Sequence, residues 1–373
     1  MGIIAKRELD ERLKVLYRSG KKVYSFSKAS TIHDCLYSAY LTYIKNCKGT
    51  SNCYSIMGTK VHDMLQAIMD GKATEKELLP ALNSELDDLK MLNINFPKDR
   101  NGGDSIREKW IADMTDFCNT FKRPKGKFET EQLVIYPLSD ERYIQGYIDL
   151  IQYHSENEIS IYDWKTSSQF STKNLKEHGR QLVLYAMAKE NEGYKVRNIA
   201  WVMLKYVTVK FIGKTRKNSK KETEQTKVIE RCKVVDELSS MIYDKMLSLG
   251  YDEVDAECYL FQAKKNKTLD FLPEDIKKQF IILPYVRYYN YTPELKQDAI
   301  DYMNQQADIF ESLNKANETE WKHKSFTKLL KNGKEVDDTF FCNNLCNFKN
   351  SCKYLKTYND LKSIDDMNGA NLF

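Results

Sequence analysis

Two carboxylates and a lysine lie on neighbouring segments of the chain that have the composition of β-strands. Asp149 ends the motif Gly-Tyr-Ile-Asp, and Asp163 and Lys165 belong to the motif Asp-Trp-Lys further along. Because side chains alternate across a strand, Asp163 and Lys165 share one face. Two carboxylates a few ångströms apart repel, and a divalent cation between them keeps both ionised at neutral pH. These residues could therefore hold a metal ion that activates water, beside an ammonium group, which is chemistry that phosphodiester hydrolysis requires.

The elements that must position these residues are three short strands. Residues 128–165 contain runs of β-branched and aromatic residues, and the polar turn His154–Glu158 precedes the last run. This spacing predicts a small antiparallel meander that carries Asp149 and Asp163 on neighbouring strands. An Asp-x-Lys pair alone is common on solvated strand edges, so the chemical interpretation depends on the other motifs.

Two predicted helices carry further polar residues. Lys173–Glu190 has leucine, tyrosine and alanine at helical spacing, and it contains Gln181 and Tyr185. Because residues four apart lie on one face of a helix, these two side chains project together. Gly58–Leu65 is also predicted to be helical and contains His62. The alternative interpretations are a packed or capping histidine and a tyrosine that is partly in the core.

In this order the motifs resemble the nuclease domain of the PD-(D/E)xK superfamily, in its RecB/AddB/Cas4-like branch. The motifs Gly-x-x-x-His, Gly-x-Ile-Asp, Asp-x-Lys and Gln-x-x-x-Tyr all occur between Gly58 and Tyr185. The resemblance implies an α/β, restriction-endonuclease-like fold, in which helices flank a mixed sheet. It also implies a helical insertion and a terminal region stapled by an iron–sulfur cluster.

The resemblance further implies a set of metal ligands. His62, Asp149 and Asp163 would bind the metal, and the backbone carbonyl of Trp164 would be a further ligand. An imidazole among the ligands suits Mn²⁺ somewhat better than an all-oxygen site would, although Mg²⁺ fits as well.

The remaining active-site positions follow from the same resemblance. Lys165 would be the catalytic lysine, acting with the two aspartates, whereas Gln181 and Tyr185 would support the site and touch the nucleic-acid backbone. The acidic residue that the family often carries on its first core strand would be Glu131, with Glu129 as the alternative.

The nine cysteines include a C-terminal group with the spacing Cys-x3-Cys-x5-Cys. With one upstream partner, this group predicts four ligands, which are Cys35, Cys342, Cys346 and Cys352. Four thiolates can hold a 4Fe–4S cluster or a zinc ion. The pattern resembles the cluster site of AddB and Cas4, although that family usually has Cys-x2-Cys first and a proline nearby. Alternative fourth ligands are Cys47 and Cys53.

The net charge of +5 does not by itself indicate a nucleic-acid-binding protein. Residues 205–221, however, are rich in lysine and arginine, and they include Tyr206 and Phe211. Basic side chains neutralise phosphates, and aromatic rings stack on unpaired bases. The segment is therefore predicted to be a hairpin that contacts DNA through Lys210, Lys214, Arg216 and Lys217. A solvated surface hairpin explains the same composition equally well.

The motifs divide the 373 residues into four predicted segments. Residues 1–125 form an N-terminal helical region, 126–206 the nuclease core, 207–336 the basic hairpin and helical insertion, and 337–373 the C-terminal cysteine segment. Glu222–Leu249 and Pro293–Leu313 are predicted to be helices, and Gln279–Val286 a strand or a buried connector.

The chain has no run long and apolar enough to span a membrane, and its first residues lack the apolar stretch of a signal peptide. We therefore expect it in the cytoplasm of a bacterial cell or a phage-infected host. The Gly213–Thr215 tripeptide lacks the earlier glycine of a phosphate-binding loop, because Thr208 occupies that position. A helicase motor is thus absent from this sequence.

The expected function is a metal-dependent DNA exonuclease that resects DNA ends and favours single strands. It would serve recombination, repair, phage DNA metabolism or spacer acquisition, alone or with a helicase partner, and an oligomer is compatible with the family. The alternatives are a non-catalytic DNA-binding subunit that works with a separate helicase and a zinc-stapled structural protein.

Overall fold

The computed structural model describes residues 10–214 and 222–370. The α-helices in this part of the chain are α1 (Glu11–Arg18), α2 (Phe26–Asp34), α3 (Leu36–Tyr43), α4 (Cys53–Met69), α5 (Leu78–Met91), α6 (Ser105–Thr120), α7 (Thr172–Asn191), α8 (Val234–Ser248), α9 (Glu253–Asn266), α10 (Glu274–Lys277), α11 (Pro293–Ser312), α12 (Phe340–Asn344) and α13 (Lys353–Ala370). The strands are β1 (Lys22–Ser25), β2 (Lys127–Pro137), β3 (Arg142–Tyr153), β4 (Glu158–Lys165), β5 (Lys195–Lys214), β6 (Glu222–Glu230), β7 (Phe280–Tyr289), β8 (Thr327–Leu329) and β9 (Glu335–Asp337).

Seven strands form one mixed sheet with the order β1-β3-β4-β5-β6, in which β2 also pairs with β3 and β7 also pairs with β5. The pairs β2–β3 and β3–β4 are antiparallel, as predicted for the meander, whereas β1–β3 and β4–β5 are parallel. The parallel pair β4–β5 requires a crossover, which α7 supplies. The prediction of an α/β fold with a mixed sheet flanked by helices is therefore confirmed.

Helices cover both faces of the sheet, and each layer has its own core. On one face, the core contains residues of α2, α3, α7 and α11 together with Ile161 of β4. On the other face, α4, α5 and α6 pack against Trp164. A third core joins α8, α9 and α10 to the far ends of β5 and β7. The sheet therefore holds strand β4 between two helical layers.

Two helix predictions are confirmed by capped helices. Helix α7 begins after Ser171, whose hydroxyl accepts a hydrogen bond from the Asn174 N–H. Helix α11 begins at Pro293, and Thr292 is its N-cap. An N-cap oxygen satisfies a backbone N–H that the first turn leaves free, so these residues fix where the helices start.

The predicted helix Glu222–Leu249 is wrong over its first part. Residues Glu222–Glu230 form β6, which pairs antiparallel with β5, and the helix begins only at Val234. Threonine, valine and isoleucine favour strands, and pairing with β5 satisfies their backbone groups. Of the predicted segment Gln279–Val286, all residues from Phe280 onwards belong to strand β7, and Ile281, Ile282 and Leu283 are exposed, so the alternative of a buried connector is wrong.

The sheet takes strands from several of the segments predicted from sequence. Strand β1, near the N-terminus, pairs with β3, and β5 continues past residue 206 to Lys214. Among residues 10–214 and 222–370, no helix is long and apolar enough to cross a membrane.

Candidate active site

The candidate site lies where β3 and β4 separate. Their pairing ends at Leu150 with Tyr162, so Asp149 and Asp163 would be the next opposed pair. Beyond that point β4 stays paired with β5 alone, through Asp163, Trp164 and Lys165. The Trp164 N–H bridges the gap by donating a hydrogen bond of 2.9 Å to a carboxylate oxygen of Asp149. This point of separation, which we call the fork, therefore has one carboxylate on each strand, at positions that follow the last β3–β4 pair.

Lys165 and the two aspartates form one charged cluster. The Nζ atom of Lys165 lies 2.6 Å from Oδ2 of Asp163, whose side chain is 4 % exposed. Burial alone would lower the pKa of Lys165, but the charges of Asp163 and Asp149 outweigh it and raise that pKa. The predicted common face of Asp163 and Lys165 is thus what the structure has.

Asp149 is a buried carboxyl close to the charge of Asp163. Burial raises this pKa well above its ordinary value, and the charge of Asp163 raises it further. The Lys165 ammonium and the Trp164 N–H lower it only in part. A buried carboxylate pair with one ammonium is a place where a further cation would be stabilising.

His62 reaches the same cluster from α4. Its Nδ1 lies 3.4 Å from Oδ2 of Asp149, and its ring packs edge-on against the Trp164 indole. Burial lowers the pKa of His62, so the imidazole is neutral at pH 7 and keeps a lone pair that can bind a metal ion. Helix α4 therefore brings His62 to the Asp149 side of the fork.

Gln181 and Tyr185 lie on the face of α7 that covers the fork. The Gln181 amide donates a hydrogen bond of 2.9 Å to the Tyr185 hydroxyl. The Tyr185 ring lies directly on Gly146 of β3, where an added Cβ would be only 2.4 Å from its Cε1. Burial and then the charges of Asp163 and Asp149 raise the pKa of Tyr185, so the phenol stays protonated as a hydrogen-bond donor. The glycine of the Gly-x-Ile-Asp motif thus leaves the space that the Tyr185 ring occupies.

The two candidate glutamates of β2 have different surroundings. Glu131 lies opposite Asp149 in the β2–β3 register, has a φ of +50°, and its charge contributes to the raised pKa of Asp149. Glu129 instead accepts a hydrogen bond of 2.8 Å from the Tyr153 hydroxyl. The structure therefore brings Glu131, and not Glu129, to the level of the aspartates.

His178 is a site neighbour that was not identified from the sequence. It lies on α7 three residues before Gln181, and its ring stacks on Phe170 with centroids 4.1 Å apart. Burial and the nearby Lys165 ammonium lower its pKa. The sequence signal was the spacing of His178, Gln181 and Tyr185, which places all three on one helical face.

The four predicted cysteine ligands, all among the described residues, lie within electrostatic range of one another, but no three of them stand in a geometry that could hold a metal ion. Their thiols are close enough for charge on one to affect another: burial, and then Cys346, Cys35 and Cys352, raise the pKa of Cys342 to about 11. The pKa values of Cys346 and Cys352 are raised by burial and by the charge of Cys35. All four are free thiols.

Backbone N–H groups also point at this cysteine group. Ser38 and Lys324 each donate a 3.4 Å hydrogen bond to Sγ of Cys35, and Phe348 does so to Cys346. The segment that follows Cys35 is also connected to the C-terminal part of the chain, because the Tyr37 N–H donates a hydrogen bond to the Lys322 carbonyl. These N–H···S contacts are the type that stabilises ligating thiolates.

The cysteine segment also contacts the first turn of α4. Asn52 caps this helix by accepting a hydrogen bond from the Ser55 N–H, while its amide donates a 2.8 Å hydrogen bond to the Leu345 carbonyl. Nearby, the Thr50 N–H bonds the Asn347 carbonyl. The helix that carries His62 thus begins on the C-terminal cysteine segment.

Within residues 10–214 and 222–370, no three His, Cys, Asp or Glu side chains already stand as a ready-made metal-binding group. This holds for the fork, where the Lys165 ammonium contacts Asp163, and equally for the four cysteines.

The basic hairpin is described only in part. Lys210 is partly exposed, with its Nζ 3.8 Å from Glu224, and Lys214 ends β5. The predicted contacts Arg216 and Lys217 lie outside the described residues. Two neighbours do not have the expected role: Lys205 is buried beside Asp113 and Glu230, and Phe211 packs against Phe280 in the third core. Neither side chain therefore lies on an exposed face of the basic hairpin.

Comparison with known proteins agrees with this geometry. The model of the PD-(D/E)XK nuclease superfamily matches residues 23–353, from β1 to the start of α13. No curated protein matches the chain. The chain belongs to the PD-(D/E)XK nuclease superfamily, whose members are typically nucleases that use divalent metal ions such as Mg²⁺.

Proposed function

We propose that the protein is a metal-dependent deoxyribonuclease of the RecB/AddB/Cas4-like branch, which digests DNA from its ends and favours single strands. The observation that carries the proposal is the fork of β3 and β4, where Asp149 and Asp163 face each other beside Lys165. The next supporting observation is the cysteine group, because this branch combines such a centre with four cysteines.

The side chains at the fork fit a divalent cation. The raised pKa of Asp149 means that its ionised form is poorly stabilised by the protein alone, and a cation would remove that cost. Asp149, Asp163, the neutral His62 imidazole and the Trp164 carbonyl would hold it. When bound, Mg²⁺ or Mn²⁺ would act as a Lewis acid on the phosphate and lower the pKa of water.

The protein residues have separate tasks in this proposal. Lys165 would place its ammonium beside the attacked phosphate and stabilise the charge that develops there. Its raised pKa keeps it protonated for that role. Tyr185 and Gln181 would position the DNA backbone, since both carry N–H or O–H donors on the covering face of α7. Trp164 is a positioning residue that holds Asp149 through its N–H.

The cysteine group would hold a 4Fe–4S cluster, with zinc as the alternative. Four free thiols within mutual electrostatic range and three N–H···S contacts fit a thiolate-bound cofactor. Its ligands come from both ends of the chain, so cluster binding would fasten the termini and stabilise the folded state. A brown anaerobic preparation that absorbs broadly near 400 nm distinguishes the cluster from zinc.

Release of acid-soluble nucleotides from DNA with Mn²⁺ or Mg²⁺ tests the hydrolytic role. Lys165→Ala should lower the rate by at least about 100-fold, because it removes charge stabilisation at the reacting phosphate. Lys76→Ala replaces an exposed lysine remote from the fork and should be as active as the wild type. Equal rates for the wild type and Lys165→Ala would reject the catalytic assignment.

A non-catalytic DNA-binding subunit is the alternative function. In that case the wild type would bind DNA without metal-dependent hydrolysis, and a helicase partner would be needed. End-labelled single- and double-stranded substrates then show whether digestion starts at ends and which strand form is preferred.

A further inference from the structure

A cavity of about 460 Å³ lies beside the end of β4, and we name it the β4-end pocket. Its wall includes Thr166, Ser167 and Ser168, which directly follow Lys165, and Tyr54 and Trp110 from α4 and α6. The volume lies in the range of small-ligand pockets in proteins. Nothing in the proposed hydrolysis uses this pocket.

The pocket adjoins the catalytic residues through two elements. Thr166 is the next residue after Lys165, and a Cβ built on Gly58 would be 3.5 Å from the Thr166 hydroxyl oxygen. Gly58 lies one helical turn before His62 on α4, so these two positions are about 6 Å apart along the helix. A group bound in the pocket would thus be next to the fork.

Several hydrogen-bonding groups of the pocket have no protein partner. The indole N–H of Trp110 is buried without an acceptor, and the residue is only 3 % exposed. Among the described residues, none makes a hydrogen bond with the hydroxyls of Tyr54, Ser167 or Ser168. Ser167 and Ser168 are exposed, so their hydroxyls and that of Tyr54 are available to hydrogen-bond a molecule that enters the pocket, whereas the Trp110 N–H is the buried group that lacks a partner.

The floor of the pocket carries positive charge. Lys109 lies 2.6 Å from the buried Glu230, and Lys205 lies 3.5 Å from Glu230 and 3.6 Å from Asp113. Lys233 also approaches Glu230, at 3.5 Å. Of these groups only the ammonium groups of Lys109 and Lys205 line the pocket, so its wall presents two positive charges and no carboxylate, which favours an anionic group such as a phosphate.

The walls suit an aromatic base. Tyr54 packs edge-on against Phe96, with ring centroids 5.3 Å apart, and Phe96 packs against Trp110 at 5.5 Å. Tyr54 and Trp110 of this row line the pocket, and base–aromatic stacking tolerates any base. The bases of a duplex expose only their edges in the grooves, so a base can enter such a cavity only when it is unpaired.

We propose that the β4-end pocket binds one unpaired nucleotide of a DNA end, next to the phosphodiester that is hydrolysed. The inference rests on the proposed function and extends it, because it gives a structural reason for a preference for single-stranded ends. The base would lie against Tyr54 and Trp110, and its phosphate would approach Lys109 and the hydroxyls of the Thr166–Ser168 loop.

The test measures binding of a dye-labelled oligothymidylate by fluorescence anisotropy, with EDTA present so that no hydrolysis occurs. Ser167→Leu puts an aliphatic side chain at the pocket wall and should raise Kd about tenfold. Tyr54→Phe keeps the ring, removes the hydroxyl and should raise Kd about three- to tenfold. Neither change should affect binding of a blunt duplex, which cannot offer an unpaired base.

Ser240→Leu is the matched control, because it makes the same exchange at an exposed position of α8 that does not line the pocket. Its Kd should equal that of the wild type. Should Ser167→Leu have a lower melting temperature than the wild type, Tyr54→Phe alone decides the question. Kd values within twofold of wild type for the deciding variants, or equal losses for duplex and single strand, would overturn the pocket assignment.

Nucleotide release by the wild type, measured separately with Mn²⁺, keeps the two proposals apart. Altered single-strand binding without any wild-type hydrolysis would support the pocket and reject the nuclease proposal. Normal hydrolysis with unaltered binding in both pocket variants would do the reverse.

Discussion

Replacing Gly146 by alanine should disturb the active site without changing any of its charged groups. The new Cβ would be 2.4 Å from Cε1 and 3.1 Å from the hydroxyl oxygen of Tyr185. Carbon atoms in contact are normally about 3.5–4.0 Å apart, so the ring must move by about 1 Å. Tyr185 is 6 % exposed, so it has little free space to move into.

Two consequences of this displacement can be given magnitudes. Overpacking of a well-filled core usually costs about 1–3 kcal/mol of unfolding free energy. Displacing a positioning group by about 1 Å can lower a rate about 100-fold. We therefore expect Gly146→Ala to lose about 100-fold in kcat and about 1–3 kcal/mol in stability, because the Tyr185–Gln181 pair moves as a unit.

Gly58→Ala is the control, since it is the other motif glycine near the site. A Cβ there would be 3.5 Å from the nearest atom, which is an ordinary contact. Alanine is also favoured over glycine within a helix by about 0.5–1 kcal/mol. Gly58→Ala should therefore match or exceed the stability of the wild type in urea unfolding, where Gly146→Ala loses stability.

A double-mutant cycle tests the cause. In a Tyr185→Ala background the space above β3 is empty, so adding Gly146→Ala should cost almost nothing more in stability. The coupling between the two changes should thus be about as large as the cost of Gly146→Ala alone. If that cost is the same with and without the tyrosine ring, the steric reasoning is wrong.

Three further changes give separate tests. Asp149→Asn should stabilise the metal-free protein at pH 7 by about 1–2 kcal/mol, because a carboxyl with a raised pKa costs stability as pH rises through that value; no stabilisation in urea unfolding with EDTA would contradict this. Cys346→Ser should abolish iron binding, measured by absorbance, and lower Tm by about 5 °C, with a smaller effect on activity. An unchanged Tm would reject the idea that the cysteine site fastens the chain ends. Glu311→Gln should cost about 2 kcal/mol of unfolding free energy at pH 7 but much less at pH 3. Hydrogen bonds led by Arg142 outweigh burial and lower the pKa of Glu311 to about 2, so the stability that the ionised carboxylate contributes is lost as pH falls towards that value. An equal cost at both pH values would contradict this.

The motif residues could be predicted because their spacing reports local geometry. The alternation of Asp163 and Lys165 fixed their common face, and the four-residue spacing of Gln181 and Tyr185 fixed theirs. Both rules depend only on the backbone period of a strand or a helix. They therefore hold without knowledge of the tertiary fold.

The features that depend on pairing between distant segments could not be predicted in the same way. Strand β1 joins β3 across more than a hundred residues, and β6 was taken for part of a helix although it pairs with β5. Strand pairing is set by tertiary contacts, which leave little trace in a local pattern. The same limit explains why Lys205 was taken for a surface residue: its partner Asp113 is on α6.

Asn52 connects helix α4, near the N-terminus, to the C-terminal cysteine segment. Its side chain caps the helix that carries His62 and also donates a hydrogen bond to the Leu345 carbonyl. The segment that contains Cys342, Cys346 and Cys352 therefore supports the first turn of that helix. A chain truncated before this segment would lack the Leu345 carbonyl, so helix α4 would lose this hydrogen bond at its first turn. Damage to the C-terminal cysteine segment would then disturb His62, a proposed metal ligand that lies 283 residues before Leu345 in the sequence.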